Sequence, residues 1–329
     1  MRFAVLGGGS WATALVKMLC ENLPEVVWYM RSPEAIEYIA KEGHNPNYLS
    51  SVEFDLAKLR LTSDINEAVE RADLLIFAIP SAFLESELAK LHTSLKGKVI
   101  FSAIKGIVPE SGRIVGEHFH EKYDIPYRDI GVITGPCHAE EVALERLSYL
   151  TIACADKGKA SRVAEALSSS YIKAKVSSDI IGTEYAAMLK NIYAIAAGIA
   201  HGLGYGDNFQ SVLMSNAIRE MKRYVKRLYN IDRNINHSAY LGDLLVTGYS
   251  TFSRNRMFGN MIGKGYTVKS AMMEMSMVAE GYYATRSAYQ IKENFKKEVK
   301  TPIIDAVYKV LYEHRNAKKV FAELADAMS

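Results

Sequence analysis

The first half of the chain alternates short apolar runs with segments of helical spacing. Runs rich in Val, Ile, Leu and Phe cover residues 2–7, 25–30, 73–79, 98–104, 130–134 and 149–153. Continuous apolar runs of this length favour strands that are buried on both faces of a parallel sheet. The segments between them include TALVKMLCEN, PEAIEYIAKEG, INEAVERA and GRIVGEHFHEKY. This alternation predicts a doubly wound α/β domain with a parallel sheet.

The pattern changes near residues 177–182, where SSD followed by IIG combines a loop with helix-cap chemistry. Almost no strand pattern follows. Four long stretches show helical spacing instead, and Thr301-Pro302 starts one of them well because proline loses no needed N–H in the first turn. The chain therefore divides, on this prediction, into an α/β domain over residues 1–181 and an all-α domain over residues 182–329.

A glycine-rich turn follows the first predicted strand. The segment Gly7-Gly8-Gly9-Ser10-Trp11-Ala12 leads directly into a helical pattern. Read as G-x-G-x-x-A, it lets Gly7 form the tight turn, Gly9 admit a pyrophosphate, and Ala12 keep the helix close to the sheet. An ordinary strand–helix turn is the alternative, but the position after an N-terminal strand favours a dinucleotide site in a Rossmann-type domain.

The second predicted strand ends at Met30-Arg31-Ser32. A site selective for NAD usually has Asp or Glu here, whereas arginine can meet the 2′-phosphate of NADP. We therefore expect NADPH to be accepted, and leave open a preference for it over NADH. The alternative is that Arg31 is solvated or stacks on adenine without selecting between the cofactors.

Two lysines are candidates for chemistry. Lys105 follows the strand-like SAI, at the edge of the sheet where ligands of such folds bind, although a surface lysine is the ordinary interpretation. Lys190 is the only charge in the apolar run YAAMLKNIYAIAAGIAHGLG. A buried ammonium either finds a partner or loses its proton readily, and both outcomes suit proton transfer at a carbonyl carbon. A structural ion pair or a lysine reaching the surface is the alternative.

The second half also contains a dense group of polar donors. Ser253-Arg254-Asn255-Arg256 places a hydroxyl, an amide and two guanidiniums within four residues, which suits phosphate oxygens. A solvated turn or a nucleic-acid patch would be the alternatives. Asp243 follows Leu241-Gly242. Glu280 follows an apolar stretch, and a carboxylate on the surface of a helix is its ordinary interpretation.

Composition narrows the class of protein. The 329 residues suit two domains, and 49% hydrophobic residues exclude a disordered chain. A net charge of +3 with both signs interleaved indicates neither nucleic acid nor an anionic membrane as a partner. The longest apolar run, near residues 185–200, is too short for a bilayer span and is interrupted by Lys190, so we expect a buried helix and no membrane insertion.

Cysteine usage points to a reducing compartment. The three cysteines, Cys20, Cys137 and Cys154, have no metal-ligand or Cys-x-x-Cys spacing, so we expect no bound metal. Met1-Arg2 runs directly into a strand-like segment, which leaves no room for a signal peptide. We expect a cytoplasmic protein.

Several motifs together resemble a known family. In order they are GGGSWATAL, AIPSAFL, SAIKGI, GPCHAEEV, KNIYAIAAGIAHGLGYGDN, GDLLVTGYSTFSRNRMFG and VAEGYYAT. They resemble the motifs of bacterial-type NAD(P)-dependent glycerol-3-phosphate dehydrogenase, from residue 1 to beyond residue 280. The pair formed by the KN and SRNRMFG motifs is highly specific.

The resemblance implies a role for each matching position. Lys190 would be the catalytic proton acceptor, and Lys105 would touch both cofactor and substrate. The remaining implied cofactor contacts are Gly7, Gly9, Ser10, Trp11, Arg31, Ser32, Ala139, Arg254, Val278 and Glu280. The remaining implied substrate contacts are Gly135, Cys137, Asp243, Ser253, Arg254 and Asn255. The family also implies a homodimer and a product, sn-glycerol 3-phosphate, that feeds glycerophospholipid synthesis.

Some positions depart from the family pattern. Ala12 replaces a usual glycine, and Cys137-His138 stands where Ser or Thr and then Phe are usual. A thiol donates a weaker hydrogen bond than a hydroxyl, so the role of position 137 is in question, and His138 could supply a replacement donor. Gly248 stands where a cysteine is usual, and residues 238–241 also differ, but neither change removes a charge.

The predicted reaction is reversible hydride transfer between NAD(P)H and dihydroxyacetone phosphate. Lys190 would supply the proton, Lys105 would stabilise the oxygen, and the cluster around Arg254 would hold the phosphate. Two rivals stay open. A dehydrogenase of 3-hydroxy acids or opines would need no phosphate cluster, and a non-catalytic redox sensor would have no use for Lys190 in an apolar helix.

Overall fold

The computed structural model describes residues 1–275 and 279–328. Within this range the chain forms two compact units. The first comprises residues 1–104 and 113–183, and the second comprises residues 105–112 and 184–329. The short segment 105–112 therefore groups with the helical part of the chain, although it directly follows a strand of the first unit.

The first unit is built on one sheet of eight strands. Their bounds are β1 Phe3–Leu6, β2 Val26–Tyr29, β3 Leu59–Thr62, β4 Leu74–Phe77, β5 Val99–Ser102, β8 Ile130–Thr134, β9 Ser148–Cys154 and β10 Ile172–Ser177, with the two-residue strands β6 Ile107–Val108 and β7 Arg113–Ile114 outside it. The order across the sheet is β10-β9-β8-β5-β4-β1-β2-β3. Every residue of β1, β2, β4 and β5 is buried, which agrees with the continuous apolar runs.

Helices connect these strands. They are α1 Ser10–Asn22, α2 Pro33–Glu42, α3 Ile65–Arg71, α4 Ser81–Leu88, α5 Val115–Tyr123, α6 Ala139–Ala143 and α7 Lys157–Leu167, with single 3-10 turns at Leu56–Lys58 and Tyr127–Asp129. Their starts follow capping chemistry: the side chains of Ser32, Asp64 and Asp156 each accept a backbone N–H of the first turn. The predicted doubly wound α/β fold is confirmed by this sheet and its helices.

The sequence pattern missed the two-residue strands β6 and β7 and two strands of the large sheet, β3 and β10, which form its two edges. Both edge strands mix polar with apolar residues, as LRLT and IKAKVS, and one residue of β3 and three residues of β10 are exposed. An edge strand packs on fewer neighbours, so it needs no continuous apolar run.

One pair in the sheet, β8 with β9, is antiparallel, whereas the prediction was a parallel sheet. The link between these strands contains only α6, with five residues. Five helical residues rise about 7.5 Å, while a five-residue strand spans about 16 Å. The helix is therefore too short to serve as the usual crossover between parallel strands, whereas antiparallel neighbours need no such crossover.

Where the structure describes it, the second unit is helical apart from β6. Its helices are α8 Ile180–Gly202, α9 Asp207–Leu228, α10 Asp243–Tyr249, α11 Arg254–Gly263, α12 Val268–Glu274, α13 Glu280–Glu293, α14 Pro302–Leu311 and α15 Ala317–Asp326, with a π-helical turn at Ser238–Gly242. Every residue from 184 to 200 on α8 is buried. A helix that is apolar on all sides is expected in such a central position, and no helix of the described residues is long and apolar enough to span a membrane.

Glycines allow α8 to touch its neighbours through the backbone. A Cβ on Gly198 would lie 2.1 Å from the carbonyl oxygen of Arg256, and one on Gly202 would lie 2.3 Å from that of Asn260. In the opposite direction, a Cβ on Gly259 would lie 2.1 Å from the carbonyl oxygen of Ile195. No side chain fits at these distances, so the α8–α11 contact requires glycine on both helices.

We expect Gly259→Ala to lower the free energy of unfolding by about 1–3 kcal/mol or more, because the added methyl group overlaps backbone that cannot turn away. Gly206→Ala is the matched control, since a Cβ there meets nothing within 4 Å. Urea unfolding followed by circular dichroism measures both. Equal, small effects would contradict the close backbone contact.

Candidate active site

In the first unit, the glycine turn lies where the ends of β1 and β4 meet. Gly7 has φ of +139°, and a Cβ on it would lie 2.5 Å from the carbonyl oxygen of Ala78, which follows β4. Only glycine is suited to that backbone and that space. From β1 the chain runs to β2 on one side, while β4 lies on the other side. This is the switch point at which folds of this type bind nucleotides.

The turn fits a dinucleotide cofactor. Gly9 has an ordinary φ of −80°, and a Cβ on it would meet nothing within 4 Å. Protein packing therefore gives no reason for glycine there, whereas a closely approaching pyrophosphate would. The next residue, Ser10, starts α1, so the N–H groups of the first turn and the positive end of the helix dipole lie beside this space. Ala12 is fully buried under the helix, as predicted.

Arg31 and Ser32 follow β2 on the same edge of the sheet. Arg31 is exposed, and its guanidinium carbon lies 5.8 Å from the centre of the Phe83 ring. Ser32 caps α2 by accepting the N–H of Ala35 at 3.2 Å, and its hydroxyl donates to Glu34 at 2.7 Å. That hydrogen bond lowers the pKa of Glu34. Ser32 thus has a structural task, and its contact with a cofactor stays a prediction.

The segment after β8 carries three predicted site residues. Gly135 has φ of +121°, and Ala139 is the first residue of α6, which packs against α1. Cys137 is 4% exposed and belongs to the apolar core of this unit. A buried thiol in apolar surroundings is a poor match to a hydroxyl that contacts substrate, so the role of position 137 stays a prediction.

In the second unit, Lys190 lies in a buried polar cluster. Its ammonium donates to the Asp243 carboxylate and, at 3.1 Å, to the Thr247 hydroxyl. Lys190 and Asp243 are 3% and 1% exposed. Asp243 and Thr247 stand four residues apart on α10, so one helix face presents both groups to the lysine.

Burial, together with the nearby charge of Lys105, lowers the pKa of Lys190 to about 7, although the Asp243 carboxylate opposes this shift. A lysine with this pKa exchanges its proton near neutral pH, which is the property that a general acid or base requires.

Lys105 lies near the same carboxylate. Its ammonium is 4.0 Å from Oδ2 of Asp243, and its side chain is 23% exposed. The side-chain amide of Asn191, next to Lys190, donates to the Lys105 carbonyl at 2.8 Å. The structure therefore brings together Lys105, Lys190 and Asp243, three residues that lie far apart along the chain.

The π-helical turn at Ser238–Gly242 leads directly into α10, so it sets where Asp243 begins that helix. Such wide turns frequently occur next to functional residues. The segment covers residues 238–241, where the sequence departs from the family pattern.

The donor cluster lies at the start of α11. The Ser253 hydroxyl caps the helix by accepting the Arg256 N–H at 3.3 Å, and Arg254 is half-buried. Oδ1 of Asn255 accepts the N–H of Gly281 at 2.8 Å. A Cβ on Gly281 would lie 2.6 Å from the carbonyl oxygen of Asn191, so Asn255 is held close to the lysine-bearing part of α8.

Glu280 is the first residue of α13 and directly precedes Gly281, whose N–H donates to Asn255, so it lies near the start of α11. Val278 lies outside the described residues. Among the described residues, no group of three or more His, Cys, Asp or Glu side chains could hold a metal ion.

Sequence reasoning missed several supporting residues. Thr247 could have been found from its spacing of four from Asp243 on a predicted helix. Asn191 lies beside Lys190, but its contact with the Lys105 backbone joins segments 86 residues apart and leaves no local pattern. In the first unit, Trp28 and Asn45 contact the glycine turn in the same long-range way.

Comparison with known proteins points to one family. Residues 2–160 match the model for the N-terminus of NAD-dependent glycerol-3-phosphate dehydrogenase, and residues 179–322 match the model for its C-terminus. The glycerol-3-phosphate dehydrogenase [NAD(P)+] of Exiguobacterium sp. is 36% identical over 323 residues, which cover 96% of this chain and 94% of that protein. That of Chlorobium limicola is 34% identical over 98% of this chain and 97% of that protein.

Solved structures agree. A crystal structure of glycerol-3-phosphate dehydrogenase from Coxiella burnetii superposes with a TM-score of 0.89 at 27% identity, and the match covers 98% of both chains.

We expect Asp243→Asn to destabilise the protein more at about pH 6 than at about pH 8.5, because a buried ammonium needs its counter-charge only while it is protonated. Below the Lys190 pKa of about 7, the loss should approach about 3–5 kcal/mol, as for other broken buried pairs. As the pH rises through 7, Lys190 becomes neutral in the parent protein and the difference should shrink.

Thermal unfolding at the two pH values measures this difference. Asp305→Asn is the control, since Asp305 pairs with Lys292 at a more exposed position. This substitution should lower the stability of the protein only a little at either pH. A penalty for Asp243→Asn that is equal at both pH values would mean that Lys190 does not change its charge in this range.

Proposed function

Because this chain belongs to the NAD-dependent glycerol-3-phosphate dehydrogenase family, we propose that it interconverts sn-glycerol 3-phosphate and dihydroxyacetone phosphate with NAD(P) as the hydride carrier. One observation supports the chemistry above all. A buried lysine with a pKa near neutrality lies against a carboxylate and within reach of a second lysine.

Lys190 is proposed as the proton-transfer residue. When dihydroxyacetone phosphate is reduced, negative charge develops on the carbonyl oxygen, and the Lys190 ammonium supplies a proton to it. In the reverse direction the neutral amine takes the proton from the hydroxyl. The bonds to Asp243 and Thr247 fix the amine in one position, so little reorganisation is needed during the reaction.

Lys105 is proposed to stabilise the same oxygen electrostatically. Its ammonium is more exposed than that of Lys190 and stays 4.0 Å from the shared carboxylate. Asn191 fixes its backbone, which limits where the side chain can reach. Asp243 would contact the substrate and hold the two lysines near one point, although their like charges repel.

The start of α11 is proposed to bind the phosphate. The Ser253 hydroxyl accepts a backbone N–H and keeps its own proton for donation, while Asn255 uses its oxygen internally and keeps its NH₂ group. Arg254 adds a guanidinium that can donate to two oxygens at once. Gly135 and Cys137 complete the proposed substrate contacts. Holding the phosphate orients the carbonyl, which converts binding into rate.

The proposed cofactor contacts are those that the motifs and the family resemblance imply. The proposed set is Gly7, Gly9, Ser10, Trp11, Arg31, Ser32, Lys105, Ala139, Arg254, Val278 and Glu280. A bound reduced nicotinamide supplies hydride, and the protein's task is to position and polarise the substrate. The open space at Gly9 beside the start of α1 supports the pyrophosphate part of this proposal.

The rival functions fit less well. A dehydrogenase of hydroxy acids would bind a carboxylate and would not need the donors gathered at Ser253, Arg254 and Asn255. A redox sensor would need the glycine turn, but no buried lysine with a pKa near 7. We also propose a cytoplasmic homodimer whose product feeds glycerophospholipid synthesis. The three free cysteines suit a reducing compartment, and light scattering should give twice the mass of one chain.

The purified protein should oxidise NADPH, NADH or both in the presence of dihydroxyacetone phosphate. Lys190→Met should lower kcat about 10²–10⁴-fold, because proton transfer by a positioned side chain contributes that much. Lys222→Met, an exposed change on α9, is the control and should leave kcat unchanged. No turnover by folded parent protein would refute the function, and a Lys190→Met enzyme within about tenfold of the parent would refute the assignment of Lys190.

Arg31→Asp should move the cofactor preference toward NADH, because a carboxylate repels a 2′-phosphate and can bind a ribose hydroxyl. The kcat/KM ratio for NADPH against NADH, measured with dihydroxyacetone phosphate, should fall. Arg60→Asp, on β3, is an exposed control outside the turn. An unchanged ratio for Arg31→Asp would remove Arg31 from cofactor choice.

A further inference from the structure

Three consecutive carbonyl groups of the glycine turn are each held by a different side chain. The indole N–H of Trp28 donates to the Gly7 oxygen at 2.8 Å. The Asn45 amide donates to the Gly8 oxygen at 3.2 Å. The Thr13 hydroxyl donates to the Gly9 oxygen at 2.9 Å.

Asn45 links these contacts into a network. Its NH₂ group also donates to the Thr13 hydroxyl at 2.9 Å, and its side-chain oxygen accepts the backbone N–H groups of Asn47 and Tyr48. Asn45 is 1% exposed, and Trp28 and Thr13 are fully buried. The network therefore ties the segment after α2 to the turn, away from solvent.

Fixing the carbonyls also fixes the amides. In a planar trans peptide, the C=O of one residue and the N–H of the next point in opposite directions. Holding the oxygens of Gly7, Gly8 and Gly9 therefore directs the next amides, those of Gly8, Gly9 and Ser10, away from the three side chains. The amides of Gly9 and Ser10 flank the Cα of Gly9, where an added Cβ would meet nothing within 4 Å.

We propose that Asn45, Trp28 and Thr13 are positioning residues that set the amides of the glycine turn for the cofactor pyrophosphate. This inference rests on the proposed function. Three glycines in succession have great conformational freedom, and a free turn would lose that freedom on binding. A turn that is already held in the folded protein binds more tightly for the same contacts.

If Asn45 had a purely structural role, its replacement by alanine would lower the stability of the protein without a selective effect on cofactor binding. The first unit contains a close match for comparison. Asn66 is also buried, accepts the backbone N–H groups of His92 and Thr93, and donates to the Lys90 carbonyl, but it does not contact the turn. Asn66→Ala therefore shows how much the loss of a buried asparagine changes stability and cofactor binding when no contact with the turn is removed.

The test is isothermal titration of NADPH into the full-length protein and its variants, with thermal unfolding alongside. Trp28→Phe should raise the Kd for NADPH about fivefold and Asn45→Ala about 25-fold, as expected for one lost bond and for two. Asn66→Ala should stay within about twofold of the parent. The KM for dihydroxyacetone phosphate at saturating NADPH should not change in the Asn45 and Trp28 variants.

Folded Asn45→Ala and Trp28→Phe proteins with the Kd of the parent would overturn the inference and leave the proposed function intact. An equal rise in Asn66→Ala would also overturn it. If Asn45→Ala does not fold, Trp28→Phe decides, since it removes one N–H and keeps an aromatic ring. A parent protein that binds neither NADPH nor NADH would overturn the proposed function as well.

Discussion

The backbone contact between α8 and α11 is the constraint on which the second unit depends. Glycines at positions 198, 202, 259 and 263 let the two helices approach until a single methyl group would not fit. Gly281 brings α13 equally close to α8. Backbone packed on backbone has no rotamers to adjust, so the helices cannot slide. Lys190, Asn255 and Glu280, one on each helix, therefore keep fixed relative positions.

The same packing explains the chemistry of Lys190. A helix surrounded on all sides removes water from an ammonium, and the hydrogen bonds to Asp243 and Thr247 offset that loss. Burial lowers the pKa of Lys190 and the Asp243 carboxylate raises it, so that the pKa lies near 7. A more exposed lysine would remain charged, and one without Asp243 would lose its proton at a lower pH. The tight core and the proposed proton-transfer group are therefore parts of one arrangement.

The sequence was informative where burial is uniform. The apolar runs predicted the central strands, and a lone charge in an apolar helix marked Lys190. The edge strands β3 and β10 were missed because their polar residues face solvent. Contacts such as Asn191 with Lys105, or Asn45 with Gly8, join distant segments and produce no periodic pattern. The roles proposed for individual site residues follow from the family resemblance.

The hydrogen bond from Trp28 to Gly7 has an optical consequence. The chain contains two tryptophans, Trp11 and Trp28, and the glycine turn lies between Trp11, two residues after it, and Trp28, which donates to it. All indole emission of the protein therefore originates beside this one turn. The molecule therefore carries both of its tryptophans at the place where its nucleotide is proposed to bind, and the sequence has no third tryptophan to obscure the signal.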